Sequence, residues 1–125
     1  TAAWSMETKL VLDDDAGAQN FGGSVLARGD LVVIAADGRR GDAERGGSVH
    51  VYERDDDAPP PDPSWRRRQV LVEPRCDGGF GASLALAGDD GLLVGCPMDD
   101  AARGAVYYYA KSGDDRDGAG RDVPR

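Results

Sequence analysis

The stretch FGGSVLARGDLVVIAA, residues 21–36, decides the fold, because it returns as FGASLALAGDDGLLVGCP at residues 80–97. Working outward, GGSVHVYER (46–54) returns as RGAVYYYAK (103–111). Trp4 followed by KLVL (9–12) returns as Trp65 followed by QVLV (69–72). Matched residues stand 57 to 61 positions apart, which makes a unit of about sixty residues. Self-similarity at a fixed period of this length marks a repeat architecture.

Each unit holds four short runs of strand character. In the first full unit they are Val25–Arg28, Leu31–Ala35, Ser48–Glu53 and Arg66–Val72. Val, Leu and Tyr are frequent in them, and Gly, Asp and Pro clusters separate them, as expected of strands joined by turns. No segment sustains the 3.6-residue period of a long helix. Eighteen glycines and seven prolines in 125 residues fit many turns between short elements. Four antiparallel strands in a unit of this length make a propeller blade.

The order Phe-Gly-x-Ser, Gly-Asp, an apolar strand ending in Gly-x-Pro, then Gly-x-Val-Tyr resembles the FG-GAP repeats that build the seven-bladed propellers of integrin alpha subunits and related secreted proteins. GCP (95–97) stands where those repeats have Gly-Ala-Pro, and the first copy carries AAD (35–37) there. The resemblance covers residues 4–111 in two copies and implies an all-β fold of two four-stranded antiparallel blades, as a two-sheet unit or a partial propeller. The calcium loop of that family, a run of spaced acidic residues between the first two strands, is missing. Only GD or GDDG joins those strands here, too few oxygens for the six to eight ligands of Ca²⁺. The expected organisation is an N-terminal strand (1–12) that completes the last sheet, a first blade (13–72), a second blade (73–111) and a flexible polar tail (112–125).

Charge and composition exclude several functions. A net charge of −8 argues against nucleic-acid binding, since one short basic run is all that would offset phosphate repulsion. No apolar run approaches the ~20 residues of a membrane helix. Thr1 in place of Met points to a processed form or a fragment. The single histidine, His50, sits mid-strand where the other copy has Tyr107, and no Ser-His-Asp order, metal-ligand spacing or phosphate loop accompanies it. The Ser after each Phe-Gly-x belongs to the repeat; a nucleophile elbow would need a following helix. The expectation is a non-enzymatic chain without a resident cofactor, apart from weak calcium attraction at acidic loop ends.

Candidate contact residues lie in two places. Arg28-Gly29-Asp30 spells a tripeptide that adhesive proteins offer to receptors. Gly29-Asp30 matches Gly88-Asp89 in the second copy, so the turn belongs to the blade, while Arg28 matches Ala87 and is free of that demand. Architecture is the favoured reading. The second place is DDDAPPPDPSWRRRQ (55–69), whose prolines favour an extended arm. Trp65 with Arg66, Arg67 and Arg68 could anchor a partner there; alternatively, Trp65 packs in its blade as its match Trp4 would, and the arginines pair with nearby aspartates. In VYYYA (106–110), strand alternation puts Tyr107 and Tyr109 on one face and Tyr108 on the other. Cys76 and Cys96 fall at one end of one hairpin, where a disulfide would staple the loop for about 3 kcal/mol. The first copy has no such pair, which tips the reading towards two buried thiols.

The resulting reading is a protein–protein interaction or scaffolding module, with self-association among its modes. Its rivals are a small accessory subunit docked on a larger, organellar membrane complex, a part of a secreted or cell-surface adhesion protein, and a weak calcium- or sugar-binding module. The secreted or organelle-lumen setting is favoured over the cytosol.

Overall fold

The computed structural model describes residues 3–12, 20–37, 47–55, 65–76 and 78–112. Two antiparallel sheets form it. The first runs β1 (Phe21–Arg28), β2 (Leu31–Ala36), β3 (Ser48–Arg54) and β4 (Trp65–Leu71), neighbouring in that order. The second runs β5 (Leu84–Ala87), β6 (Gly91–Cys96) and β7 (Ala105–Ala110). A single helical turn, α1 (Asp99–Ala102), joins β6 to β7.

The turns follow from the sequence. Arg28 pairs with Leu31, leaving Gly29 and Asp30 as a two-residue hairpin loop. Gly29 takes φ +58° at the first loop position, which a glycine supplies without steric cost. Gly88 does the same at φ +72° in the second sheet, where one extra aspartate lengthens the loop. One further bond closes each unit: the Arg54 amide donates to the Asp30 carbonyl (3.0 Å) and the Lys111 amide to the Asp90 carbonyl (2.7 Å).

The core lies between the sheets. Val33, Ala35 and Val49 of the first sheet meet Val94 and Cys96 of the second, with Cys76 and Phe80 from the segment that leads into it. Leu26, Val51, Leu71, Leu84, Tyr107 and Tyr109 pack round them. Phe80 is 1% exposed, the largest of the fully buried side chains, and its ring meets Tyr107 and Tyr109 edge-on at 6.0 and 6.3 Å. Gly81 follows it at φ +98°, and a Cβ there would stand 2.9 Å from Cβ of Ala35. Phe-Gly is therefore a wedge: the ring fills the gap between sheets while the glycine lets the backbone approach the neighbouring sheet.

Strand alternation then gives the sheets a polarity. Along β3, Val49 and Val51 point into the core, so His50 and Tyr52 point to the opposite face of the first sheet. Their repeat partners Tyr107 and Tyr109 face the core from the second sheet. Equivalent residues thus lie on opposite sides of the shared interface, and the two units stack head to tail. The pair Phe21–His50, edge-on at 5.5 Å, reproduces Phe80–Tyr107 on the outer face of the first sheet.

Two expectations change. Residues 3–12 belong to no strand, and the second sheet has three strands where four were expected. Head-to-tail stacking explains the difference. β4 lies in the first sheet and leads into β5, whose sheet packs on the core face of the first. A segment leading into β1 by the same rule belongs to a sheet packed on the opposite, outer face. Two stacked sheets keep β7 at the far end from that position; only a closed ring would bring the ends together. The second change concerns the cysteines: Cys76 and Cys96 are joined in a disulfide with Cα atoms 6.1 Å apart, so the reading as thiols gives way. The expected tail lies outside the described residues from position 113 onward.

Candidate interaction surface

Four strands form sheet edges among the described residues, and they differ in how open they are. β1 is bulged between Phe21 and Ser24. β5 has only four residues. β4 presents Arg66, Arg67 and Arg68 in succession, all exposed. Bulges, short lengths and charges are the devices by which edges avoid pairing with foreign strands. β7 has none of them: Ala105–Ala110 reads AVYYYA, six residues without a charge, in unbroken register with β6.

The face beside that edge is apolar as well. Away from the core, the second sheet shows Ala85, Leu93, Val106 and Tyr108, with Val106 65% and Tyr108 59% exposed. The Tyr108 ring lies over Gly91, where an added Cβ would come within 2.7 Å of it. On the corresponding outer side of the first sheet, Ile34, Ala36, His50 and Tyr52 are buried. Ser48 Oγ and His50 Nε2 are 2.9 Å apart there.

The other face of β7 is anchored by polar contacts. The Tyr107 hydroxyl donates to Asp99 (2.9 Å), and the Arg75 guanidinium sits over the Tyr107 ring at 5.6 Å. Arg75 is itself held by Glu73 through contacts of 2.6 and 3.0 Å. Hydrogen bonds from Arg75 hold the Glu73 carboxyl below the usual range. Burial, followed by the bond to Asp99, pushes the Tyr107 hydroxyl up, and burial also raises Tyr109. β7 is thus fixed on its core side and open along its edge.

The residues singled out from sequence fall elsewhere. Arg28 reaches across to the matching turn of the second sheet, donating to the Gly88 carbonyl and to Asp89, each at 3.0 Å. It is an interblade tie, and Asp30 stands 3.6 Å from Arg54. Gly29 forms the turn tip. Trp65 is half-buried in β4 under the Arg54 guanidinium, 4.7 Å from its ring centre. Arg66 pairs with Asp55, and Arg68 with Glu53 at 3.3 Å. Arg67 is exposed opposite Tyr52. The structure therefore brings Trp65 and its arginines together on one edge, and Arg54, which lies over Trp65 and beside Asp30, links that edge to the Arg28-Gly29-Asp30 turn. Residues 56–64 of the proline arm lie outside the described residues. Among the described residues no group of three or more His, Cys, Asp or Glu is placed to hold a metal ion, and no helix is long and apolar enough to cross a membrane.

Sequence reasoning missed the edge of β7. Its lack of charge was visible in AVYYYA, but its openness depends on which strand comes next to it. Neither a curated protein nor a solved structure gives a match to the chain. A family model does: that of the FG-GAP repeat, over residues 4–52. The matched unit joins the Trp4–Leu12 segment to β1, β2 and β3, the phase in which Trp65–Tyr109 repeats it, so residues 4–52 are similar to one FG-GAP repeat.

Proposed function

We propose that this chain is a non-enzymatic protein–protein interaction module that binds through the β7 end of its second sheet. The observation that carries the reading is the uncharged, unbulged β7 edge beside the exposed Val106 and Tyr108. An extended segment added there would gain main-chain hydrogen bonds for affinity and side-chain contacts on alternate residues for specificity. The FG-GAP repeat supports the reading as an interaction-type module. The reading does not call on calcium; the first hairpin loop offers only Gly29 and Asp30.

An extracellular or organelle-lumen setting is favoured over the cytosol by one observation, the Cys76–Cys96 disulfide, since such bonds persist in oxidising compartments.

A photo-crosslinking residue at Val106, compared with one at Arg67 on the blunted edge, tests the proposal in the source extract. A protein-sized adduct at position 106 and not at 67 is expected. Absence of any protein adduct at 106 would overturn it.

A further inference from the structure

The repeat identifies what belongs on the β7 edge. In the first sheet the matching edge, β3, is covered by β4, with Val49 opposite Leu71, His50 opposite Val70 and Val51 opposite Gln69. The residues of β4 that make these pairs are the end of the Trp65…QVL stretch, and the only other copy of that stretch is Trp4…KLVL. Lys9, Leu10 and Val11 match Gln69, Val70 and Leu71. Among the described residues, 3–12 pair with no strand; Trp4 is 101% exposed, Met6 80% and Val11 55%, while Leu10 and Leu12 are half-buried. The molecule thus shows an unpaired strand sequence at one end and an unpaired strand edge at the other.

Head-to-tail stacking keeps these two features apart within one copy and makes them complementary between copies. The Phe21-Gly22 wedge points the same way. Gly22 holds φ +97°, as Gly81 holds φ +98°, yet nothing lies within 4 Å of a Cβ at Gly22, whereas Gly81 meets Ala35 and Val49. The first unit has the backbone of a blade that follows another blade.

We infer that the Trp4–Leu12 segment of a second copy of this chain adds to β7 as the fourth strand of the second sheet. This rests on the proposed use of the β7 end and names its occupant. The register copied from the first sheet places Val11 opposite Val106, Leu10 opposite Tyr107 and Lys9 opposite Tyr108. Lys9 brings a positive charge to a chain of net −8, which lowers the repulsion between copies at that point. Because donor and acceptor are different surfaces, the association is heterologous and closes as a ring or by reciprocal exchange.

Light scattering on the purified 125-residue chain reads the association directly. A mass of at least twice 13.2 kDa is expected, falling to 13.2 kDa in a Leu10→Pro variant with an unchanged far-UV spectrum, since residues 3–12 lie outside both sheets. A folded wild-type monomer at every concentration overturns the inference. Geometry is read by mixing Val11→Cys with Val106→Cys chains under mild oxidation. A linked dimer enriched in the mixture over either variant alone is expected. Equal yields, or a bridged monomer from the chain carrying both substitutions, would overturn it. If a Val106 adduct forms only with a foreign protein, this inference fails while the proposed function stands; if no adduct forms, both fail.

Discussion

The two sheets are built from one repeat and end in opposite ways. The first has four strands, and its outer strand β4 carries three arginines, two of them paired with Asp55 and Glu53. The second has three, and its outer strand carries no charge. The first has buried residues on both faces; the second buries one and leaves Val106 and Tyr108 in solvent on the other. A repeat unit cannot satisfy both its faces and both its edges alone, and it relies on the neighbours before and after it. Among the described residues, the first sheet has its following neighbour and the second shows none.

That contrast is sharpest at the Phe-Gly wedge, where Phe80 fills the interblade core and Phe21 is only half-buried. Phe80→Ala should cost about 3–5 kcal/mol, the range of a truncated core phenylalanine. Phe21→Ala should cost about 1 kcal/mol, in keeping with a partly buried ring. Urea unfolding of the two variants measures the gap; equal losses would break the asymmetry between the blades.

Gly81 and Gly22 sharpen it further, because their backbones are alike and their surroundings are not. An alanine at either pays about 1–2 kcal/mol for the left-handed backbone. Gly81→Ala also forces a Cβ against Ala35, adding about 1–3 kcal/mol of overpacking. The difference in urea midpoint between the variants isolates the second part, and a Gly22→Ala loss as large as that of Gly81→Ala would show that backbone strain alone accounts for both.

Alkaline pH should act on the second sheet. Burial raises the Tyr107 and Tyr109 hydroxyls above their ordinary value of 10.0. A raised folded value means the stability they lend is complete below the unfolded value and is lost as pH rises through the folded one. Melting followed across pH 9 to 12, around the ordinary tyrosine range of about 10, should show falling stability. A Tyr107→Phe, Tyr109→Phe variant should flatten the fall.

The smallest effect belongs to the turn. Arg28→Ala removes an exposed tie to Gly88 and Asp89 and should cost less than about 1 kcal/mol. A loss of several kcal/mol in thermal unfolding would mean that this contact, and not the Phe80 core, joins the blades.

Much of this was legible in the sequence. The repeat located seven strands, the Gly29-Asp30 turn and the opposite facing of Tyr108 from Tyr107 and Tyr109, because period-2 alternation and turn residues are local signals. Three features depended on packing instead. KLVL has strand composition, but a strand also needs an edge within reach, and head-to-tail stacking puts β7 at the other end. Arg28 stands where the second copy has Ala87, so comparing copies said nothing of its reach to Asp89. Ala101 and Ala102 adopt φ of 57° and 72° in the α1 turn, a conformation that alanine composition gives no hint of.

The most direct measurement is amide hydrogen exchange along β7 in the wild-type chain and in the Leu10→Pro variant. Amides of Ala105–Ala110 that are not bonded to β6 should be protected in the wild type and become fast in the variant, while those of β3, already covered by β4, stay unchanged. Identical exchange in the two proteins would contradict the claim that the second sheet is completed by the Trp4–Leu12 segment of another copy.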